Sequence, residues 1–261
     1  MTRKPYSTDL TDLQWANIEH LVPGPKPGGR PRKYNNRDLV AAIFYLVRTG
    51  CAWRLLPHDF PPWQSVYAYF RHWQADGTWQ RVHDVLRDDI RHGEGRAAEP
   101  TAGILDSQSV KTTNRGGERG YDAGKKIGGR KRHLLVDCLG LLLAVVVHAA
   151  NVQDRDGAKL VLEKARGLFP SLRLIWADGG YAGALIEWVQ TTCGWLLQTL
   201  LRPVGVKGFF LLPRRWVVER TFGWLYQYRR LSKDYEYLIS VSETMIVVAM
   251  IHLMARRNIK T

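Results

Sequence analysis

Two aspartates stand where a sheet-forming stretch has least use for a charge. Asp106 follows Gly103, Ile104 and Leu105, and Asp178 follows Leu174, Ile175, Trp176 and Ala177. Burying an isolated carboxylate costs on the order of several kcal/mol, so each must be paired, protonated or bound to a cation. Ligand sites of α/β sheets gather at strand ends. Asp178 runs into Gly179, Gly180 and Tyr181, a tight turn that lets backbone or an ion approach closely. A third acid, Glu219, lies within Arg214-Arg215-Trp216-Val217-Val218-Glu219-Arg220. On a helix, Val218, Phe222 and Leu225 form the core stripe, and Glu219 falls one residue off it at the edge facing the sheet. Arg215, four residues earlier, shares that face and could pair with it. Three carboxylates gathered at one point repel each other, and Mg²⁺, a hard cation that takes oxygen ligands, is the natural remedy. Two such ions about 3.5–4 Å apart activate a water or a 3′-hydroxyl and stabilise the leaving oxygen, the chemistry of phosphodiester hydrolysis and strand transfer. Singly, each acid has a plainer reading. An Asp after a strand often forms a turn or caps a helix, and a Glu among arginines is usually a surface ion pair. The order of the three, with these flanks, favours the joint reading.

The rest of the composition points to a polyanionic partner. The chain has 261 residues, 45% hydrophobic and 24% charged, with a formal net charge of +14 and a pI near 9.9. It can bury a core, so global disorder is excluded. The excess charge suits nucleic acid, whose counterions are released as phosphates are neutralised; the alternative is a generally solvated basic surface. Lys125, Lys126, Arg130, Lys131 and Arg132 fall in a Gly-rich stretch, Thr112 to Arg132, read as an exposed loop that follows a DNA backbone. Arg71, with Tyr69 and His72 and with Arg37 and Arg48, forms a second DNA-contact set on short helices. Gln108 and Ser109, beside Asp106, are candidates to orient metal-bound water. His133 and His148 are read as structural, because two-metal phosphoryl transfer needs no histidine, and Trp176, Trp216 and Trp224 as core. Cys51, Cys138 and Cys193 have no zinc or redox spacing and read as small buried hydrophobes in a reducing compartment. Residues 1–10 are polar, unlike a signal peptide, and the apolar run 134–150 is broken by Asp137, Cys138 and His148, which suits two strands better than a membrane span. A cytoplasmic protein is expected.

The elements that must position these residues change character midway. Thr11-x-x-Gln14 is a capping box ahead of Trp15, Ile18 and Val22. Further helices are expected from Asn36 to Gly50, from Gln64 to Gln74 and from Thr78, separated by Pro- and Gly-rich connectors, the raw material of a helix-turn-helix domain. Residues 96–101 read as a linker between a helical domain (1–95) and an α/β domain (102–261). In the latter, strands are expected at 102–110, 133–138, 141–149 and 172–177, with a hairpin at Gly140. Helices are expected at 156–168, 182–193 and 216–229, and an apolar closing helix at 241–254. The stretch 195–212 is ambiguous, with two short strands one reading.

With these motifs in hand, the sequence resembles bacterial insertion-sequence transposases of the DDE type, of the group called insertion sequence family 5. The likeness rests on Leu10-Thr11-Asp12-x-Gln14-Trp15, Gly29-Arg30-Pro31-Arg32, Arg48-Thr49-Gly50-Cys51-x-Trp53-Arg54 and Phe60-Pro61-Pro62-Trp63. It continues through Asp106-Ser107-Gln108-Ser109-Val110-Lys111, Asp122-Ala123-Gly124-Lys125-Lys126, Gly129-Arg130-Lys131-Arg132-His133 and Ala150-Asn151-Val152-Gln153-Asp154. It closes on Ala177-Asp178-Gly179-Gly180-Tyr181 and Arg215-Trp216-Val217-Val218-Glu219-Arg220. The resemblance implies a ribonuclease H-like mixed sheet flanked by helices, with Asp106 on its first strand, Asp178 after the fourth and Glu219 on a following helix. It implies Mg²⁺, with Mn²⁺ as a substitute, double-stranded DNA partners (the element's inverted repeats and a target), a homodimer or higher oligomer, and a nucleoid-associated location. In related families a Tyr precedes the Arg215 position and a Lys or Arg follows Glu219; Arg215 and Glu219 fit that pattern, which implies that Arg215 contacts DNA. Leu212 and Tyr226 stand at the other two positions instead, so Arg229 and Arg230 are the candidates for those phosphate contacts.

Overall fold

The computed structural model describes residues 3–25, 28, 31–114, 117–201 and 214–257. Gly29 and Arg30 of the basic connector and the Leu212 position lie outside the described residues. The chain forms two compact units.

The helical unit takes the chain up to Arg96, Gln227–Ser232 and the segment from Thr244 onward. Helix α1 (Asp12–Glu19) opens on the expected capping box, with Thr11 and Gln14 each accepting the other's backbone N–H. Helix α2 (Asn36–Thr49) is capped by Asn35 and ends at Gly50 with φ +76°, a left-handed geometry that costs glycine little. Its stripe of Leu39, Ile43 and Leu46 is fully buried. Helices α3 (Trp63–Ala75) and α4 (Thr78–Gly93) follow, joined through Asp76 and Gly77. The closing helix, which the sequence assigned to the sheet domain, joins this unit from Thr244 on. There His252 lies 3.1 Å from the Tyr228 hydroxyl and 3.0 Å from the Thr8 carbonyl. A helix apolar on every side needs cover on every side, and Val247 to Ile251 are all buried. Its 19 residues are long and apolar enough to cross a membrane, but 72% of that stretch is buried inside the fold, as in a core helix.

The second unit is built on a six-stranded sheet. Its elements are β1 (Ala102–Lys111), β2 (Gly120–Asp122), β3 (Ile127–Val136), β4 (Leu142–Ala149), α5 (Asp154–Arg166), β5 (Leu174–Asp178), α6 (Ala184–Cys193), β6 (Leu196–Leu200) and α7 (Trp216–Tyr226); α8 (Ile239–Arg257) begins in this unit. Strand β1 is central, antiparallel to β3 on one side and parallel to β5 on the other. Strand β3 carries β4 and, further along the same edge, the short β2; β5 carries β6 in parallel. Without β2, the order β4-β3-β1-β5-β6 with a single antiparallel member is the ribonuclease H-like arrangement. Leu105, Ile175, Ala177 and Leu197 enter one core with Ala158, Val161 and Leu162 of α5 and Leu185 and Val189 of α6.

Two local expectations need correction. The stretch 112–132 is not one exposed loop: Gly-rich backbone is used there for β2 and the first half of β3, paired to β1 through Arg132, Lys131 and Arg130. Of the ambiguous stretch 195–212, β6 is observed and residues 202–212 lie outside the described ones.

Candidate active site

The site follows from strand register. Ala102 pairs with Leu174 and Ile104 with Trp176; two residues beyond the last pair come Asp106 and Asp178. Strand side chains alternate between faces. Leu105, Ile175 and Ala177 enter the core beneath α5 and α6, so both aspartates project to the other face. Helix α7 lies there against β1, with Val218 and Phe222 buried. It presents Arg215, whose Nη2 is 3.3 Å from Glu219 Oε1 and 3.8 Å from Asp178 Oδ2.

Asp106 accepts the Ser107 N–H at 2.7 Å. Asp178 also caps its own turn, accepting the Gly180 N–H at 2.9 Å. A Cβ at Gly180 would sit 3.0 Å from that carboxylate oxygen, so glycine leaves it approachable. The Asp106 carboxyl is pushed up to about 6, by burial first and also by the Asp178 charge, against the pull of the Ser107 N–H, Arg215 and Lys125. It is short of positive charge.

Hard carboxylate oxygens around an under-compensated aspartate suit a divalent cation of the Mg²⁺ or Mn²⁺ type. Among the described residues, however, no three acidic, His or Cys side chains stand preassembled at ligand distances. Asp106 and Asp178 lie on neighbouring strands just past their last pair, and Glu219 shares Arg215 with Asp178, so the guanidinium stands between acids that a cation would draw together.

On the opposite face of β1 lies a polar cluster that sequence reasoning missed. The Ser107 hydroxyl donates to Asp154 Oδ1 at 2.9 Å, and the Ser109 hydroxyl to Asp122 Oδ2 at 2.6 Å. Ser109 therefore faces away from the acids and does not orient a ligand there. Lys131 Nζ bridges the two carboxylates, 2.9 Å from Asp154 and 3.5 Å from Asp122, and donates to the Val152 carbonyl at 2.8 Å. Burial pushes the Asp154 carboxyl up, but the Lys131 and Ser107 hydrogen bonds outweigh it and the net shift is downward. Behind them His133 Nδ1 and His148 Nε2 are 2.9 Å apart, both rings buried, a structural pair. The only sequence signal was that Asp122 and Asp154 sit in two of the quoted motifs.

The basic residues divide. Lys125 and Lys126 are exposed on the turn between β2 and β3, with Lys125 Nζ 3.5 Å from the Ser107 hydroxyl. Arg229 is exposed and Arg71 half-buried, both in the helical unit. Arg130, Lys131, Arg132 and Arg230 are buried, which corrects their expected role as phosphate contacts. Arg130 donates to the carbonyls of Glu118, Glu236 and Tyr237 and to Ser242, and lies 3.2 Å from Asp234. Arg132 donates to the Lys233 carbonyl, and Arg230 to that of Cys51. The three cysteines are free and half-buried rather than buried.

A fold of this topology with acids just past the β1–β5 pairing and on α7 defines a candidate metal-dependent polynucleotidyl-transfer domain. Residues 97–254, more than half of the chain, match the family model described as Transposase DDE domain, and residues 10–83 match the model for transposases of the IS4/5 family. The chain belongs to the DDE-domain transposases of insertion sequences. A 16.2 kDa uncharacterized protein of insertion element IS402 from Burkholderia cepacia is 31% identical over 127 residues, 46% of this chain and 78% of that protein. A protein assigned as the transposase of IS402, from the same organism, is 32% identical over 120 residues, and the match spans 54% of its length and 41% of this chain. The crystal structure of the Mos1 mariner paired end complex with Mn is a distant likeness, with 12% identity, a TM-score of 0.30, and coverage of 94% of this chain and 83% of that one.

Proposed function

We propose that this transposase binds the terminal inverted repeats of its own insertion sequence and cuts and joins DNA strands with Asp106, Asp178 and Glu219 holding Mg²⁺, or Mn²⁺ in its place. The observation that carries the reading is the juxtaposition of Asp106 and Asp178, each two residues past the last pair of the parallel β1–β5 ladder, on the face where α7 offers Glu219 through Arg215. When bound, the cations supply activation of the attacking oxygen and stabilisation of the leaving one. Asp106 brings a carboxylate under strain of charge, which a cation relieves. Arg215 offsets carboxylate repulsion between Asp178 and Glu219. Lys125 and Lys126, exposed on the turn between β2 and β3, hold phosphates of the incoming strand, and Arg229 and Arg71 add contacts from the helical unit, which takes the duplex end. Two ends must be brought together, so the working form is a homodimer or a higher oligomer, acting on the nucleoid in the cytoplasm.

The test is incubation of the protein with end DNA, a target plasmid and Mg²⁺. Joined products are expected, and Asp106→Asn should abolish cleavage while end binding persists. Cleavage without joining reduces the activity to that of a nuclease. Cleavage by Asp106→Asn at the wild-type rate overturns the site.

A further inference from the structure

The motif residues Ser107, Asp122, Lys125 and Asp154 are not absorbed by the three acids, yet they converge on the α5 side of β1. Pairing between β1 and β5 stops at Ile104 and Trp176, so beyond that point β1 has a laddered neighbour on the β3 side alone. The stretch that carries Asp106 is therefore held by half the usual hydrogen bonds. Ser107 closes the gap from both ends of the residue. Its N–H holds the Asp106 carboxylate at 2.7 Å, and its hydroxyl is tied to Asp154 in the first turn of α5 at 2.9 Å. Asp154 in turn is fixed by Lys131, a buried residue whose ammonium lies 2.9 Å from Asp154 and 3.5 Å from Asp122 and donates to the Val152 carbonyl. The Tyr181 hydroxyl, 1% exposed and without a well-formed hydrogen bond, is buried in the same region, three residues after Asp178. A cavity of about 490 Å³ opens over the cluster, lined among others by Asp122, Lys131, Asp154 and Gly180.

We propose that Asp154, acting through the Ser107 hydroxyl and braced by Lys131, is a positioning residue that sets the orientation of the Asp106 carboxylate for cation binding. The proposal rests on the metal-dependent reading of the acids. Lys131 serves as a built-in cation behind the sheet, and its charge is used to hold Asp154 in place rather than to meet DNA. Loss of the tether leaves Asp106 in place in sequence but free to turn, which weakens its grip on a cation far more than it weakens the fold.

The experiment uses the full chain with two readouts: Mn²⁺ affinity by electron paramagnetic resonance, and single-turnover cleavage of end DNA against Mn²⁺ concentration. Asp154→Ala and Ser107→Ala are each expected to weaken Mn²⁺ binding about tenfold and to raise the half-saturating Mn²⁺ for cleavage to match, with end-DNA affinity unchanged. Asp154→Asn keeps an oxygen that accepts the Ser107 hydroxyl and should recover most of both. If Asp154→Ala fails to fold, Ser107→Ala, the loss of one hydroxyl, carries the test alone. Wild-type Mn²⁺ affinity in Ser107→Ala, or no recovery in a folded Asp154→Asn, overturns the proposal. Should the wild type bind Mn²⁺ with an affinity that falls in Asp154→Ala yet cut no DNA, the transposition reading fails and the positioning role stands.

Discussion

Asp106 is kept where its charge is disfavoured, and that has a stability signature. With its carboxyl raised to about 6 in the folded chain and near 3.9 when unfolded, the folded state holds the proton more tightly. The penalty is therefore absent below about pH 4, grows between about pH 4 and 6, and is complete above. Asp106→Asn should thus stabilise the fold at pH 7–8 by on the order of 1 kcal/mol, after allowance for solvent at a partly open group, with the gain vanishing near pH 4. Mn²⁺ should raise the Tm of the wild type, but that of Asp106→Asn far less. Thermal unfolding from pH 8 to pH 4, with and without Mn²⁺, reads both, and a variant less stable than wild type at pH 8 would remove the strain argument. The histidines run the other way. His133 is driven down to about 3, by burial first and by His148 next, so its contribution is fully present above about pH 6.5 and is lost as pH falls through that value toward 3. Acid weakening in that window should persist in Asp106→Asn.

At the scale of elements, the paired strands and α5 are held by buried groups. Arg130, fully buried on β3, ties Glu118, Asp234, Glu236, Tyr237 and Ser242 together. Arg130→Ala strands the buried Asp234 and should cost roughly 3–5 kcal/mol in urea denaturation, whereas loss of a solvated phosphate contact would cost almost nothing. On α5, a Cβ at Gly157 would meet His148 Nε2 at 2.3 Å and His133 Cε1 at 2.4 Å. Alanine ordinarily gains up to about 1 kcal/mol over glycine inside a helix, but here crowding a buried ring pair should win, for a net loss of roughly 1–3 kcal/mol. A more stable Gly157→Ala would show that α5 can lift off the sheet freely. These two cases also mark what the sequence could tell. The acids were legible because an isolated charge after an apolar run contradicts its surroundings, and most elements because periodicity and caps such as Thr11 and Gly50 are local signals. Gly129-Arg130-Lys131-Arg132 was misread because composition describes a solvated loop equally well. Only the register with Val110 and Gln108, and partners as remote as Asp234, turn these cations inward. The closing helix shows the same limit: apolarity says that it is buried, not that its part from Thr244 on packs with the helical unit.

For the whole molecule, the formal charge of +14 overstates what DNA can meet. Arg87, Arg91, Arg130, Lys131, Arg132 and Arg230 are buried, and Arg87, Arg130, Lys131, Arg132 and Arg230 serve the chain's own carboxylates and carbonyls. The salt dependence of binding counts phosphates neutralised, not formal charge: on B-DNA the logarithm of affinity falls with the logarithm of salt by about 0.9 per phosphate contact. If the turn between β2 and β3 grips the strand, replacing both Lys125 and Lys126 by alanine should weaken binding to any duplex alike and reduce that slope by roughly 1 per lysine. Arg229→Ala should take off a similar step from the helical unit, and its effect should add to theirs if the two units contact separate phosphates. Fluorescence anisotropy on end and random duplexes between about 50 and 200 mM salt measures the slope. A slope untouched by the double lysine variant would move the DNA path away from the β2–β3 turn and from the Ser107 side of β1 that it flanks.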